Sequence, residues 1–146
     1  MKLPMNLQWL QMRIGEEQER RQREDNIRKR MPSALEELYG SLTECLESYK
    51  QAFGARAAVM HFVSGRMRIE IREEVESRWV TRAEIVIAND LTIPGFRIER
   101  GAEPYLIEVG VLAGDKLFYR DGDDYITLEE LTRRILDRSL FPKLAA

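Results

Sequence analysis

The chain has 146 residues, of which 44% are hydrophobic and 33% are charged. A chain of this length fits one domain of ordinary size, and its apolar content excludes disorder throughout. The 23 basic and 25 acidic residues give a net charge of −2. This balance argues against a dedicated nucleic-acid-binding protein, because such proteins usually carry a basic excess.

The rare residues restrict the possible chemistry. With Cys45 as the single cysteine and His61 as the single histidine, the chain can form neither an internal disulfide nor a Cys/His zinc site. Cys45 lies in a predicted helix, where we expect a small buried residue. Neither a serine-nucleophile motif nor a glycine-rich phosphate-binding motif occurs. The sequence therefore predicts no catalytic residue, no metal and no cofactor.

Hydropathy gives no sign of a membrane or secretion signal. No stretch approaches the ~18 apolar residues of a transmembrane helix. Polar residues interrupt the first 15 positions, so they lack the continuous apolar core of a signal peptide. We accordingly expect a cytoplasmic protein without a membrane partner.

The first predicted element is a helical arm, which we assign to residues 1–31. Leu3, Leu7, Leu10 and Ile14 recur at four-three-four spacing and so share one helical face, whereas Trp9 and Met12 fall off it. We call the four-residue face the arm stripe. We predict that it binds a protein partner, either a second copy of the chain or another protein. The alternative is that the arm folds back onto its own sheet.

The rest of the arm is charged. Residues 16–30 read EEQERRQREDNIRKR, with five acidic and six basic side chains. Acid-first pairs at i,i+4 spacing are predicted to support the helix, namely Glu16–Arg20, Glu17–Arg21 and Glu19–Arg23. Because the charges nearly cancel, this segment is a poor phosphate-binding tail. A helix that is polar all round has little reason to lie on its own core, which favours docking of the arm on another chain.

We assign residues 32–146 to a single α+β domain that opens with a second helix. Pro32 predicts a break, and Ser33 with Glu36 forms a candidate capping box. Helical spacing continues to Phe53, and Gly54 is a typical helix stop. The apolar face of this helix consists of Leu35, Leu38, Leu42, Cys45, Leu46, Tyr49 and Phe53.

The middle of the domain alternates with a period of two residues, which predicts strands. Met67, Ile69 and Ile71 face one way, and Ser64-Gly65 predicts a hairpin before them. Further strands are predicted at residues 78–88, 96–99, 105–112 and 117–120. Thr127 and Glu130 form a capping box for a closing helix. The expected fold is an antiparallel sheet of about five or six strands in a meander, preceded by two helices and closed by a third.

Two groups of acidic residues are candidate metal sites. Asp121–Asp124 resembles part of a calcium loop, but the first ligand and the required glycine are missing. Glu70, Glu84 and Glu108 all fall on the polar side of predicted strands, as a metal nuclease would require. Arginines alternate with them on that side, and cross-strand Arg–Glu pairs explain the pattern without a metal.

Two functions remain after these exclusions. The first is a non-catalytic interaction protein, an adaptor or small accessory subunit, which forms a homodimer or binds a protein partner through the arm stripe. The second is a small-molecule-binding domain or enzyme with a pocket between the second helix and the sheet. The residues predicted to line that pocket are Tyr49, Phe53, Met60, Phe62 and Trp79.

Overall fold

The computed structural model describes residues 5–101, 104–112 and 116–144. Three helices span Met5–Arg28 (α1), Met31–Phe53 (α2) and Leu128–Leu140 (α3). The strands are Ala58–Val63 (β1), Arg66–Val75 (β2), Arg78–Asn89 (β3), Gly95–Glu99 (β4), Pro104–Leu112 (β5), Lys116–Asp121 (β6) and Asp124–Ile126 (β7). Within these ranges, no helix is long and apolar enough to cross a membrane.

The strands form one antiparallel sheet in which each strand pairs with the next along the chain. Two helices precede this meander and one follows it, which confirms the predicted α+β fold. The sheet has seven strands where about five or six were expected. The additional strand is β7, which the sequence presents as an acidic turn. Three residues are too few to show a period of two.

The second helix begins earlier than the capping box predicted. Its first residue is Met31, and Arg30 before it has helix-like dihedrals (φ −94°, ψ −7°) and no side-chain cap. The amide of Ala34 donates to the carbonyl of Arg30 at 3.0 Å. Ser33 is therefore inside the helix and cannot cap it. Pro32 is tolerated because amides in the first helical turn have no carbonyl partner within the helix. The N–H that proline lacks would therefore have been unpaired in any case.

The core lies between one face of the sheet and the two helices α2 and α3. The hydroxyls of Ser41 in α2 and Thr132 in α3 are hydrogen-bonded at 2.7 Å. Thr132 also donates to the carbonyl of Leu128 at 2.8 Å. Ser41 is therefore the donor in the bridge between the two helices. The helical side chains buried against the sheet are Met31, Ala34, Leu35, Leu38, Leu42, Leu46, Leu131, Ile135, Leu136 and Leu140.

Two residues at the rim of α2 are not buried as predicted. Cys45 is exposed, and Phe53 is 59% exposed. Both belong to the apolar pattern of α2 but lie at the edge of its buried face. The end of α2 follows the prediction, since Gly54 adopts a positive φ of 116° and its amide donates to Lys50 at 2.8 Å.

The opposite face of the sheet is charged, as the alternating pattern predicted. Arg68 contacts Glu84 across β2 and β3 at 2.9 Å, and Arg72 contacts Glu70 along β2 at 2.8 Å. His61 is on the same side and is exposed. The register shifts between Ile71 and Arg72, which marks a β-bulge between β2 and β3.

Candidate association surface

The arm stripe is exposed in the structure. Leu7, Leu10 and Ile14 are 36%, 36% and 39% exposed, and Leu3 lies outside the described residues. The core contact of α1 comes from its last turns, where Ile27 packs against the buried cluster. The part of the arm that carries the stripe is therefore not folded back onto its own sheet.

The arm is also apolar on its other side. Trp9 and Met12 are 62% and 68% exposed. At about 100° per residue, Trp9 lies roughly opposite the arm stripe. Ile27 follows Trp9 by about five helical turns of 3.6 residues, so both residues lie on the same side of α1. Leu7, Leu10 and Ile14 are nevertheless less exposed than Trp9 and Met12, so neither side of this part of α1 is buried on the domain.

The charged segment of the arm holds itself in helical form through ion pairs. Glu17 contacts Arg20 at 2.7 Å and Arg21 at 3.2 Å, and Glu24 contacts Arg28 at 2.9 Å. Hydrogen bonds from Arg20 and Arg21 lower the pKa of Glu17 to about 2. These carboxylates remain charged and paired near neutral pH. Their negative charges nearly cancel the positive charges of the arginines in the segment.

The pairing differs in part from the prediction. Glu17–Arg21 forms as expected. Arg20 also contacts Glu24, and Glu16 pairs with Arg13 at 2.8 Å instead of with Arg20. No ion pair connects Glu19 with Arg23, although both residues are described. Positions three residues apart compete with those four residues apart on a helix, and sequence spacing alone does not decide between them.

A groove of about 450 Å³ lies between α2 and α3, and we call it the interhelical groove. Cys45, Ala52 and Phe53 form its α2 wall, and Leu136 and Leu140 form its α3 wall. Sequence reasoning did not identify this groove, because apolar residues at helical spacing have the same pattern in a groove as in a buried face. The spacing of the two helices in the fold creates the groove.

The groove has an acidic border. Glu129 and Asp137 line it on α3, with Arg133 between them, and Arg133 contacts Glu130 at 3.9 Å. Partial burial raises the pKa of the Cys45 thiol, and the nearby carboxylates of Glu44 and Glu129 raise it further. Both carboxylates therefore impose a negative potential at the Cys45 end of the groove.

A second depression of about 410 Å³ lies beside the groove, and we call it the aromatic cavity. Three of the five predicted pocket residues line it, namely Tyr49, Phe53 and Trp79. Its other walls come from β2, from Arg82 at the β-bulge and from the segment after α3. The predicted pocket between α2 and the sheet therefore exists in part, at the C-terminal end of α2.

Met60 and Phe62 were wrongly placed in that pocket. Phe62 packs edge-on against Tyr39 with the ring centroids 4.9 Å apart, and the Met60 sulfur accepts from Thr43 at 3.8 Å. The reason is geometric. As β1 proceeds from Ala58, it passes residues progressively nearer the start of α2 and so leaves the cavity behind.

The acidic turn Asp121–Asp124 forms ion pairs with an arginine of α3. Arg134 contacts Asp121 at 2.9 Å, Asp124 at 3.4 Å and Glu130 at 3.2 Å. Thr127 caps α3 as predicted by accepting from the amide of Glu130 at 3.1 Å. The Glu130 side chain pairs with Arg134 instead of closing the capping box. The carboxylates of this hairpin therefore fasten α3 to the end of the sheet.

The three strand glutamates do not converge. Glu70 and Glu84 are register partners across β2 and β3. Glu108 forms an ion pair with Arg120 between β5 and β6, near the other edge of the sheet. Strand register places Glu108 about six residues, or roughly 20 Å, along the strand direction from the other two. Among the described residues, no group of three or more His, Cys, Asp or Glu side chains could hold a metal ion.

Comparison with known proteins gives no relative. Neither the protein-family models, the curated proteins nor the solved structures contain a match to this chain. The arm, the groove and the cavity are therefore the features that bear on function.

Proposed function

We propose that this chain is a non-catalytic protein–protein interaction protein that associates through its N-terminal helix, with a second copy of itself as the partner. The observation that supports this proposal is the exposure of the arm stripe on a helix that packs against the core through Ile27, near its end. Apolar side chains grouped on one exposed face are typical of a binding surface. A docking helix presents such anchors at i, i+3 and i+7.

The charged segment supports the same function in a different way. Its paired carboxylates and guanidiniums extend α1 as a soluble spacer between the domain and the arm stripe. The 24 residues of α1 correspond to about 36 Å of helix at 1.5 Å per residue. The arm can therefore carry its apolar anchors well beyond the domain from which it emerges.

We expect Leu10→Glu to convert the associated protein into a monomer. A buried glutamate without a partner costs several kcal/mol, which is enough to weaken association by at least about 100-fold. Light scattering coupled to size exclusion, over a range of protein concentrations, measures the change in mass.

The matched control is Gln8→Glu, which adds the same charge two residues away at an exposed position on a different side of α1. It should leave the mass unchanged. Circular dichroism of both variants checks that the domain stays folded. A wild-type chain that is monomeric at all concentrations, and that behaves like Leu10→Glu, would contradict self-association.

The aromatic cavity favours a second candidate function, binding of a small molecule. Its volume of about 410 Å³ falls within the roughly 300–1,000 Å³ typical of ligand sites. Tyr49, Phe53 and Phe141 surround it with aromatic surface, the Tyr49 and Phe53 rings being 4.8 Å apart. We place this candidate second because Arg72 and Arg82 on its border already pair with Glu70 and Glu73.

A ligand in this cavity should change the fluorescence of Trp79. The measurement uses a Trp9→Phe background, since Trp9 is the other tryptophan of the chain. A compound at about 100 times its dissociation constant should also raise the free energy of unfolding by about 2.7 kcal/mol. A broad screen of small apolar and aromatic compounds that changes neither signal would remove this candidate.

A further inference from the structure

We propose that the arm stripe of one chain binds in the interhelical groove of a second copy, so that two chains exchange arms reciprocally. This inference rests on the proposed self-association and names the surface that receives the arm. In such a dimer, α2 and α3 of one chain and the arm of the other chain form a layer of three helices. The same contact is made twice about a two-fold axis, which closes the assembly.

The dimensions of the arm and the groove agree. From Leu7 to Ile14 the arm stripe extends over about 11 Å, and from Cys45 to Phe53 the α2 wall of the groove extends over about 12 Å, at 1.5 Å per residue. Phe53 lies at one end of this wall and is 59% exposed, so it has apolar surface left to cover. A third helix seated there would cover both apolar surfaces at once.

The arm cannot take this position in its own chain without breaking the junction between α1 and α2. Only Lys29 and Arg30 separate the two helices, and both have helix-type hydrogen bonds. Lys29 donates to Asp25 at 3.1 Å, and Arg30 donates to Ile27 at 2.9 Å. Folding α1 back along α2 would require these bonds to open and Ile27 to leave the core. The groove is therefore available to the arm of another chain.

Pairing of two arms with each other is a poorer solution. Continued at heptad spacing, the arm stripe runs into Glu17, Arg21 and Glu24. A parallel pair would place these charges against their own copies, and an antiparallel pair could bury only the short apolar part. Coiled coils that stand alone usually need at least about three heptads. The groove instead offers two helices that are already packed.

Charge also favours this partner. The first 16 residues contain Lys2 and Arg13 against one acidic residue, Glu16, which pairs with Arg13 at 2.8 Å. The groove carries Glu129 and Asp137 on its border, with Glu44 close to Cys45. The arm tip therefore carries a small positive excess and the groove, even with Arg133 on its border, a small negative one, so their charges are complementary in sign.

The first test blocks the groove and leaves the arm unchanged. Ala52→Arg places a long charged side chain on the groove wall, and Gln51→Arg adds the same side chain at an exposed neighbouring position outside it. We expect Ala52→Arg to be monomeric by light scattering and Gln51→Arg to remain a dimer. If Ala52→Arg stays as dimeric as the wild type, the groove does not receive the arm.

The second test uses Cys45 as a reporter of groove occupancy. In wild type at ~100 times the dimer dissociation constant, about 7% of the chains are free by mass action, so maleimide should label Cys45 about 15-fold more slowly than in Leu10→Glu. Equal labelling rates in a dimeric wild type would overturn the groove as the docking site while leaving self-association intact. A monomeric wild type would overturn both proposals.

Discussion

Gly95→Ala should lower the free energy of unfolding by about 3 kcal/mol, the upper end of the usual range for overpacking. Gly95 begins β4 and pairs with Glu108 of β5. A methyl group at this position would overlap the carbonyl oxygen of Ile107 and lie 3.2 Å from the Cα of Glu108. The obstacle is backbone, which cannot rotate away as a side chain can. Urea unfolding followed by circular dichroism measures the loss.

Gly40→Ala is the matched control for this substitution. Gly40 is inside α2, and a Cβ built there has no neighbour within 4 Å. Because glycine weakens a helix interior by about 1 kcal/mol relative to alanine, this variant should be more stable than wild type by a similar amount. Equal effects from both substitutions would show that the close approach of β4 and β5 is not what selects glycine at position 95.

Asp90→Ala should lower the free energy of unfolding by about 2 kcal/mol at pH 7, since charged hydrogen bonds contribute roughly 1.5–3 kcal/mol. Asp90 is 7% exposed in the loop between β3 and β4. Its carboxylate accepts from the amide of Thr92 at 2.8 Å, from the amide of Ile93 at 2.9 Å and from the Thr92 hydroxyl. Alanine would leave these donors without their acceptor.

The same substitution has a defined pH dependence. The hydrogen bonds from Thr92, and those from the two backbone amides, hold the pKa of Asp90 below its usual value. A carboxyl with a lowered folded-state pKa stabilises the protein above its unfolded pKa of about 3.9, and this contribution is lost as pH falls through the folded pKa. The difference between wild type and Asp90→Ala should therefore narrow as pH falls below about 4.

Urea titrations at pH 7 and pH 3 measure this difference. Asp123→Ala is the control, because Asp123 is an exposed turn residue whose side chain accepts none of the hydrogen bonds that hold the Asp90 loop. It should be close to neutral at both pH values. A gap between wild type and Asp90→Ala that is the same at pH 7 and pH 3 would mean that the carboxylate charge does not stabilise the loop.

The fold could be predicted wherever one periodic signal dominated. The buried face of α2 through Leu38 and Leu42, and the alternation of Met67, Ile69 and Ile71, were identified because each side chain faces either the core or solvent. The errors fell where signals competed. Ser33 has the chemistry of an N-cap, but Met31 is buried in the core, and the helix starts there, three residues earlier than a Ser33 cap would place it.

The site could be predicted only in outline. Spacing placed Leu7, Leu10 and Ile14 on one face of α1, but exposure of that face depends on how α1 leaves α2, and this follows from tertiary packing at Ile27. The interhelical groove was not predictable, because it is defined by residues more than 80 positions apart, such as Ala52 and Leu136. No local pattern carries that information.

The meander has a consequence for how the chain reaches its native state. Each strand pairs with its immediate successor, so the sheet can grow hairpin by hairpin as the polypeptide emerges during synthesis, with little loop-closure entropy at each step. The contacts of α3 are of longer range, and the bridge from Ser41 to Thr132 connects positions 91 residues apart. We therefore expect docking of α3 against α2 to be the last step of folding, and α2 to remain partly uncovered until it occurs.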